Sequence, residues 1–226
     1  MRIQKVHLSL PIPNRHVAGE ALAQVLKQRY GQRDDIIVLA LPRGGVPVAV
    51  PIVRALRAPL DLMLVRKLGV PYQPELAMGA IASGGVRVLN PEVVRMTGVT
   101  PAQIEAVAAE EQQEMDRRAM IYRGNRPWPD LTGRCVILVD DGLATGATMR
   151  AAIKAVRHQD AVCIVVAVPV APPDTVSALA KDANEVISLF TPEPFSAIGQ
   201  WYEDFSQTSD EEVIEALREL SSREGE

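Results

Sequence analysis

Two adjacent aspartates and a loop rich in glycine and threonine form the segment of this chain best suited to chemistry. Asp140 and Asp141 follow the apolar run Val136 to Val139, and the loop Gly142 to Thr148 leads into a helix-like sequence. Adjacent carboxylates accept hydrogen bonds from a vicinal diol or hold a metal through water. Exposed backbone N–H groups at a helix N-terminus bind phosphate, because the helix dipole is positive there. The segment therefore predicts a ribose 5-phosphate ligand.

The spacing within this loop excludes two other phosphate-binding motifs. A P-loop requires GxxxxGK[ST], and the residue after Gly146 is Ala147 rather than lysine. A dinucleotide fingerprint requires GxGxxG, which the segment lacks. The hydroxyl groups of Thr145 and Thr148 add hydrogen-bond donors to the phosphate cradle.

Such a loop needs a parallel sheet to position it, and the rest of the chain predicts one. Apolar runs without alternation, such as Ile36 to Leu41 and Cys135 to Val139, are typical of strands that are buried on both faces. These runs alternate with helical patterns, which indicates an α/β fold with a doubly wound, mostly parallel sheet. Ligands bind at the carboxyl edge of such sheets.

The region between the two halves of this pattern is less regular. Gly69 to Gly85 contains several prolines and glycines, which predicts a long loop with short strands such as Met78 to Ala82, and Val86 to Leu89 is expected to pair with that strand as a hairpin. Asn90-Pro91 and Thr100-Pro101 each read as a helix start, which predicts a helical insertion up to about Met120. Pro59 to Val65 reads as one further strand.

Composition narrows the functional class. The chain has 226 residues, 47% hydrophobic and 23% charged, with a net charge of −4, which disfavours a nucleic-acid binder. Cys135 and Cys163 lie in or beside apolar runs and are expected to be buried core residues, so a Cys/His zinc site has no support. No signal-peptide or membrane-spanning stretch is recognisable, so the expected location is cytoplasmic.

The run VILVDDGLATGAT resembles the signature of type I phosphoribosyltransferases, which bind 5-phosphoribosyl 1-pyrophosphate (PRPP) with Mg²⁺. The resemblance implies that Asp140 and Asp141 hold the ribose hydroxyls and the metal. It also implies that the 5-phosphate is bound by the loop residues Gly142, Leu143, Ala144, Thr145, Gly146, Ala147 and Thr148.

The run LALPRGGVPVA, Leu39 to Ala49, is similar to the pyrophosphate loop of the same family. That loop is commonly held by a cis peptide bond that does not involve proline nitrogen, and it points backbone N–H groups at pyrophosphate. By this resemblance Gly44 and Gly45 permit close approach of the backbone, and Arg43 contributes a charge-assisted contact. On its own, the PRGG sequence is equally compatible with an ordinary turn.

A third segment, VRKLGVPYQPELAMGAIASGG, resembles the strand and flexible lid that close over the site in this family. Arg66 and Lys67 are implied to act on pyrophosphate as catalytic cations together with Arg43, although a solvated charge pair is the alternative. Tyr72 and Glu75 fall within the lid. The resemblance covers roughly Ile36 to Leu189 and implies a single domain over 1–226, with a core of about 18–190, an insertion of about 90–122 and a hood and tail of about 191–226.

The acceptor of the ribosyl group is not identified by the sequence. Leu143 and Ala144 occupy the loop positions where some purine enzymes of this class carry an Asp base, which puts purine salvage in doubt. The N-terminal segment and Phe195 to Phe205 are candidates for the acceptor hood, whose aromatic residues either stack on a base or anchor the C-terminal segment. Arg15 and His16 receive no preferred role.

Three functions remain open at this level. The first is a Mg²⁺-dependent transferase that moves ribose 5-phosphate from PRPP to a nitrogen acceptor, expected to be a nucleobase, with release of pyrophosphate. The second is a PRPP-sensing regulator without catalysis, and the third is hydrolytic or salvage chemistry on another acceptor. Retention of Arg43, Arg66 and Lys67 favours catalysis, because a sensor has less need of a pyrophosphate clamp. A homodimer is expected from the resemblance, and the helical insertion could form a dimer surface or a cap.

Overall fold

A computed structural model describes residues 8–221 of the chain. The N-terminal residues 1–7 and the C-terminal residues 222–226, which belong to the predicted domain and its tail, lie outside the described part. The helices are α1 (Arg15–Tyr30), α2 (Gly45–Leu56), α3 (Pro91–Thr97), α4 (Pro101–Arg123), α5 (Ala147–Arg157), α6 (Pro173–Leu179) and α7 (Asp210–Ser221). The strands are β1 (Ile36–Ala40), β2 (Leu60–Leu62), β3 (Val65–Val70), β4 (Gln73–Ala82), β5 (Val86–Leu89), β6 (Cys135–Val139), β7 (Cys163–Val170) and β8 (Glu185–Phe190).

Five strands form a parallel central sheet in the order β2-β1-β6-β7-β8. The register pairs Ala40 of β1 with Val139 of β6, so the two strands end side by side. The loops that follow them, Leu41 to Gly44 and Asp140 to Gly146, therefore leave the sheet at the same edge. The prediction of a mostly parallel α/β sheet is confirmed.

Helices cover both faces of this sheet, as the continuous apolar strands indicated. Alternate residues of β1 belong to different cores: Val38 packs in the core that includes α1, α2 and α7. Ile37 and Leu39 pack with α5 on the opposite face. Because both faces are buried, β1 and β6 need apolar residues at every position, and all ten of their residues are buried.

A separate antiparallel sheet, in the order β3-β4-β5, occupies most of the region expected to be a loop. The hairpin of Met78 to Ala82 with Val86 to Leu89 is confirmed, but the long loop over Gly69 to Gly85 is wrong, because β4 already begins at Gln73. Pro74 is accommodated where the β3–β4 register shifts, so proline does not end the strand.

One strand was also predicted with the wrong extent. The apolar run Pro59 to Val65 is divided between the two sheets: β2 of the central sheet ends at Leu62, and β3 of the small sheet begins at Val65. The buried residues Met63 and Leu64 connect them. An apolar run can therefore cross between sheets without any polar residue to mark the boundary.

The helical insertion consists of the two helices that the Asn-Pro and Thr-Pro pairs predicted. The Asn90 side chain accepts hydrogen bonds from the amides of Glu92 and Val93 at the start of α3. Thr100 forms a capping box with Gln103 at the start of α4. Helix α4 packs on β3 and α7, and it continues to Arg123, slightly beyond the expected end.

The N-terminal and C-terminal segments meet above the sheet and form a unit that we call the hood. Ile12 pairs with Tyr202 in a parallel bridge, and the amide of Ile12 donates to the carbonyl of Trp201 at 2.8 Å. The aromatic rings of Phe195 and Phe205 pack into the same small core. Within residues 8–221, no helix has the length and apolar character required to cross a membrane.

Candidate functional site

Asp140 and Asp141 lie directly after β6 at the carboxyl edge of the sheet. The Asp141 side chain is largely buried, and its Oδ2 accepts a hydrogen bond from Nε of Arg15 at 2.8 Å. The Arg15 guanidinium lies 3.9 Å from the ring centroid of Phe205, and its Nη1 donates to the carbonyl of Ser206 at 2.7 Å. One carboxylate of the pair is thus bound to a cation of the hood.

The surroundings of the two carboxyl groups disfavour their ionised forms. Burial raises the pKa of Asp140 well above its usual range, and the neighbouring Asp141 raises that pKa further. Burial also raises the pKa of Asp141, while the Arg15 guanidinium opposes this shift. A single guanidinium beside two adjacent carboxylates does not offset these effects, so an additional cation or a set of hydroxyl donors would stabilise the ionised pair.

The PRGG loop lies against the aspartate pair. A Cβ atom on Gly44 would lie 2.0 Å from Oδ2 of Asp141, and one on Gly45 would lie 2.6 Å from the carbonyl oxygen of Val139. The peptide bond between Pro42 and Arg43 is cis, as the resemblance implied. The two segments singled out in the sequence are therefore in contact, and the glycines are needed because the chains approach so closely.

The loop after the aspartates wraps around the start of α5. Gly146 has φ = 70°, in the left-handed region, and forms the N-cap of α5 without a side chain. The Thr175 hydroxyl donates to the carbonyl of Ala144 at 2.7 Å and fixes the loop from the side of α6. Ala144, Thr145, Ala147 and Thr148 are exposed, whereas Leu143 is buried. The loop thus presents its backbone and its hydroxyl groups to solvent at a helix N-terminus.

The three expected cations each have an acidic partner. Arg43 Nη1 lies 3.5 Å from Asp210 Oδ1, and the Arg66 guanidinium lies 2.6 Å from Glu111 of α4. Lys67 Nζ lies 3.3 Å from Glu75, whose side chain is 97% exposed. The hydroxyl of Tyr72, a mostly exposed residue, donates to the carbonyl of Thr97 in α3.

Arg43 belongs to one of the two loops, and Arg66 lies near both. These two cations are therefore better placed than Lys67 to contact a ligand between the loops. Arg66 and Pro42 line a common small cavity with Thr148, which follows the loop after the aspartates. Lys67 alternates to the other side of β3 and is exposed. A polyanion bound between the loops would compete with Glu111 and Asp210 for these guanidinium groups.

Two residues contact Asp141: Arg15, which received no preferred role from the sequence, and Tyr202, for which base stacking and anchoring were the alternatives. Arg15 precedes Asp141 by 126 positions and carries no local motif. The Tyr202 hydroxyl donates to the carbonyl of Asp141 at 2.6 Å, and burial raises the pKa of Tyr202. The aromatic run had been flagged as a hood, and the packing of Tyr202 against Phe205 at 5.1 Å favours its anchoring interpretation.

The prediction that both cysteines are buried core residues holds for only one of them. Cys135 is buried, whereas Cys163 is half-buried, because it lies at the start of β7, near the amino edge of the sheet. The two residues are register partners on neighbouring strands. Both are free thiols.

A magnesium ion is compatible with the donor set. In the described part of the chain, no group of three or more His, Cys, Asp or Glu residues is arranged to hold a metal ion. Mg²⁺ is usually bound through one or two carboxylates together with substrate phosphate oxygens and water, rather than by an all-protein cage. Asp140 and Asp141 could supply the carboxylates of such a site, together with oxygens of a phosphorylated ligand.

The class of protein follows from this fold and from a direct sequence match. Residues 12–201 match the family model described as "Phosphoribosyl transferase domain". The match spans both loops, the lid region and the insertion. The chain therefore belongs to the phosphoribosyl transferase domain family.

Similar proteins come from two bacteria. The chain is 51% identical over 200 residues to a Mycobacterium tuberculosis protein named "Putative phosphoribosyl transferase Rv0571c", and the match covers 88% of this chain and 45% of that protein. The chain therefore spans about half the length of the curated relatives that it matches. The crystal structure of TT1426 from Thermus thermophilus is 42% identical, covers 92% of this chain and 97% of that one, and superposes with a TM-score of 0.82.

Proposed function

We propose that this domain is a Mg²⁺-dependent phosphoribosyltransferase that transfers ribose 5-phosphate from PRPP to a nitrogen acceptor and releases pyrophosphate. The observation that carries the proposal is the contact between Gly44 and Asp141, since the position of a Gly44 Cβ lies 2.0 Å from the carboxylate. It joins a candidate pyrophosphate loop to a candidate ribose site at one sheet edge. Family membership and the relatives' names support the same reaction class.

The parts of PRPP can be matched to the parts of the site. The exposed backbone and hydroxyls of Ala144 to Thr148 suit the 5-phosphate at the N-terminus of α5. Asp140 and Asp141 suit the ribose hydroxyls and, with pyrophosphate oxygens, the magnesium ion. The amide of Gly44 suits the pyrophosphate, whereas the Gly45 amide already donates to the carbonyl of Leu41 at 3.0 Å. Arg43, Arg66 and Lys67 are the surrounding cations.

In the proposed reaction the acceptor nitrogen forms a bond to C1 of the ribose while the bond from C1 to the pyrophosphate oxygen breaks. The carbon is inverted, the electron pair leaves with pyrophosphate, and the proton of the acceptor nitrogen passes to solvent water. Mg²⁺, when bound, neutralises charge on the departing pyrophosphate. The chain's own contribution is to orient C1 and to stabilise the same charge with the Arg43 and Arg66 guanidinium groups.

The acceptor approaches from the hood side in this proposal. No carboxylate replaces Leu143 or Ala144 in the loop, so the chain offers no dedicated base at that position. The acceptor is therefore expected to be a nitrogen heterocycle that is nucleophilic without deprotonation by a loop aspartate. A cytoplasmic location and a homodimer are further parts of the proposal.

A calorimetric titration with PRPP tests the binding site. We expect saturable binding that Mg²⁺ strengthens and that Asp140→Asn weakens by at least about 30-fold, which corresponds to the loss of charged hydrogen bonds. Asp160→Asn is the matched control, because Asp160 is an exposed aspartate outside the site. Equal binding by the wild type and Asp140→Asn would exclude the proposed site.

Release of pyrophosphate separates the enzyme from a PRPP-sensing regulator. The purified protein is incubated with Mg²⁺, PRPP and a panel of nitrogen heterocycles, and pyrophosphate is measured against a sample without acceptor. Acceptor-dependent release supports the transferase. Tight PRPP binding with no acceptor-dependent release across the panel would support the regulator instead.

A further inference from the structure

We infer that helix α4 of the insertion supplies Arg118 as an additional pyrophosphate-binding side chain. The inference rests on the proposed function, and it assigns a role to a helix whose purpose the sequence left open. Three observations support the inference. Arg118 lines a cavity, it lies on the face of α4 that is turned toward the site, and it shares its carboxylate partner Glu114 with Arg117.

The first observation is a small cavity of about 50 Å³ between the two phosphate-binding loops. Its lining includes Pro42 of the PRGG loop and Thr148 at the start of α5. Arg66 enters from the base of β3, and Met115 and Arg118 enter from α4. Two guanidinium groups from different elements thus line one cavity whose walls also include both loops. The rest of the lining is apolar and consists of Leu41, Met63, Leu64, Val65 and Met115. At the polar side of this cavity the two guanidinium groups can form charge-assisted hydrogen bonds to one phosphate group.

The second observation is the face that α4 turns toward the site. Glu111, Met115, Arg118 and Tyr122 follow one another at spacings of four, three and four residues, so they share one side of the helix. Met115 is 4% exposed in the core, and Glu111 binds Arg66. The Tyr122 hydroxyl donates to Asp210 at 2.5 Å, and Asp210 also contacts Arg43. Arg118 is therefore held on a fixed face beside the other two cations.

The third observation concerns the charge around Arg118. Its Nε lies 2.7 Å from Glu114, and Nε of Arg117 lies 2.8 Å from the same carboxylate. One carboxylate thus serves two guanidinium groups, and Asp210 is a second acidic group that interacts with both. If Arg118 turned toward a pyrophosphate, Glu114 would keep Arg117 as its partner. The Arg118 side chain is 45% exposed, so little packing resists this movement.

The neighbouring arginine provides a matched control. Arg117→Gln and Arg118→Gln remove the same charge from the same helix and the same contact to Glu114, but only Arg118 lines the cavity. Binding of inorganic pyrophosphate in the presence of Mg²⁺ is measured by calorimetry for the full chain and both variants. Ribose 5-phosphate is titrated in parallel, because it has no pyrophosphate group.

We expect Arg118→Gln to weaken pyrophosphate binding by about 10- to 100-fold, the range of a lost charged hydrogen bond. Arg117→Gln should change it by less than about 2-fold, and ribose 5-phosphate should bind both variants as it binds the wild type. Arg118→Lys should retain part of the affinity, since lysine keeps the charge but loses the planar fork. Thermal unfolding of each variant verifies that the fold is intact.

The outcomes distinguish the inference from the proposed function. If the wild type binds pyrophosphate and Arg118→Gln binds it equally well, the role of Arg118 is overturned and the proposed function stands. Equal losses in Arg117→Gln and Arg118→Gln also overturn it, because they indicate only the general charge of α4. If the wild type binds neither pyrophosphate nor ribose 5-phosphate, the role of Arg118 and the proposed function are both overturned.

Discussion

Nε of Arg15 donates to Oδ2 of Asp141 at 2.8 Å, and each of these side chains is 11% exposed. The pair joins the first turn of α1 to the end of β6 across 126 positions of sequence. Tyr202 of the C-terminal segment adds a hydrogen bond to the Asp141 carbonyl. The hood is thereby connected to the carboxylate that the ribose would use, so the position of the hood and the charge of the site depend on each other.

Replacement of Arg15 is expected to destabilise the fold. Arg15→Gln leaves the Asp141 carboxylate buried without its cation, and loss of one partner of a buried ion pair costs about 3–5 kcal/mol. Urea unfolding should show a decrease of that size in the free energy of unfolding. The control is His16→Gln, because His16 is exposed and its distance to Glu20 is 3.6 Å. Addition of Asp141→Asn to Arg15→Gln should restore most of the loss, and a double variant as unstable as the single one would contradict this account.

A methyl group on Gly44 is expected to displace the Asp141 side chain. The Cβ of Gly44→Ala would lie 2.0 Å from Oδ2 and 2.6 Å from Cγ of Asp141, and Arg15 holds this carboxylate in place. We expect a loss of about 1–3 kcal/mol in unfolding free energy, as for other overpacked sites, together with PRPP binding weakened by more than about 10-fold.

The clash itself can be isolated by a double-mutant cycle. In an Asp141→Ala background the interfering oxygens are absent, so Gly44→Ala should cost much less than it does in the wild type. Equal costs in the two backgrounds would show that the glycine is needed for another reason.

Removal of the carboxylate that binds Arg66 is expected to strengthen anion binding. Glu111 lies 2.6 Å from the Arg66 guanidinium and competes with any phosphate for it. Glu111→Gln should therefore raise the affinity for Mg²⁺–pyrophosphate by about 2- to 10-fold, since partly exposed ion pairs contribute roughly 1 kcal/mol. Isothermal calorimetry gives the comparison. Glu105→Gln, which removes an ion pair between the same helix and Arg87, should leave the affinity unchanged; weaker binding by Glu111→Gln would refute the competition.

The buried thiol of Cys135 predicts a decline in stability at alkaline pH. Burial, reinforced by a hydrogen bond with Cys163, raises the pKa of Cys135 to about 12, from an ordinary value of 9.0. Between pH 9 and pH 12 the unfolded chain loses this proton while the folded chain keeps it, so stability falls as the pH rises. A difference of one bound proton between the folded and the unfolded chain changes the free energy of unfolding by about 1.4 kcal/mol per pH unit.

Urea unfolding between about pH 8 and pH 10.5 measures this slope. Cys135→Ala should make this slope less steep, and at the upper end of the pH range the reduction should approach the slope that corresponds to one proton. Val136→Ala is the control, because it shortens a buried side chain on the same strand without removing a titrating group. That variant should be less stable at every pH with an unchanged slope. An identical slope in Cys135→Ala and the wild type would exclude the thiol as the cause.

Much of the site could be predicted because its parts are local. The run from Val136 to Thr148 contains a strand, two carboxylates and the loop that follows them in thirteen consecutive residues, and backbone geometry dictates how such a run folds. The PRGG loop is equally local. Their proximity also followed, because strands of a parallel sheet end at one edge.

The lid region could not be predicted in the same way. Proline and glycine in Gly69 to Gly85 indicated a loop, yet Leu68, Val70 and Met78 are fully buried and hold β3 and β4 in a sheet. The register shift beside Gly69 leaves room for Pro74. Tertiary packing thus outweighed local propensity, and nothing in the local sequence reveals which of the two will dominate.

The sequence by itself determined the class of fold, because apolar periodicity specifies a parallel α/β sheet, and the resemblance of two local motifs indicated the family and the two loops. Only the tertiary structure decided which distant residues complete the site. Arg15 approaches Asp141 from the N-terminal segment, Asp210 approaches Arg43 from the last helix, and Arg118 of the insertion lines a cavity with Pro42 and Thr148. Ion pairs between distant residues leave no periodic pattern along the chain, since any surface arginine or aspartate looks the same until packing selects its partner.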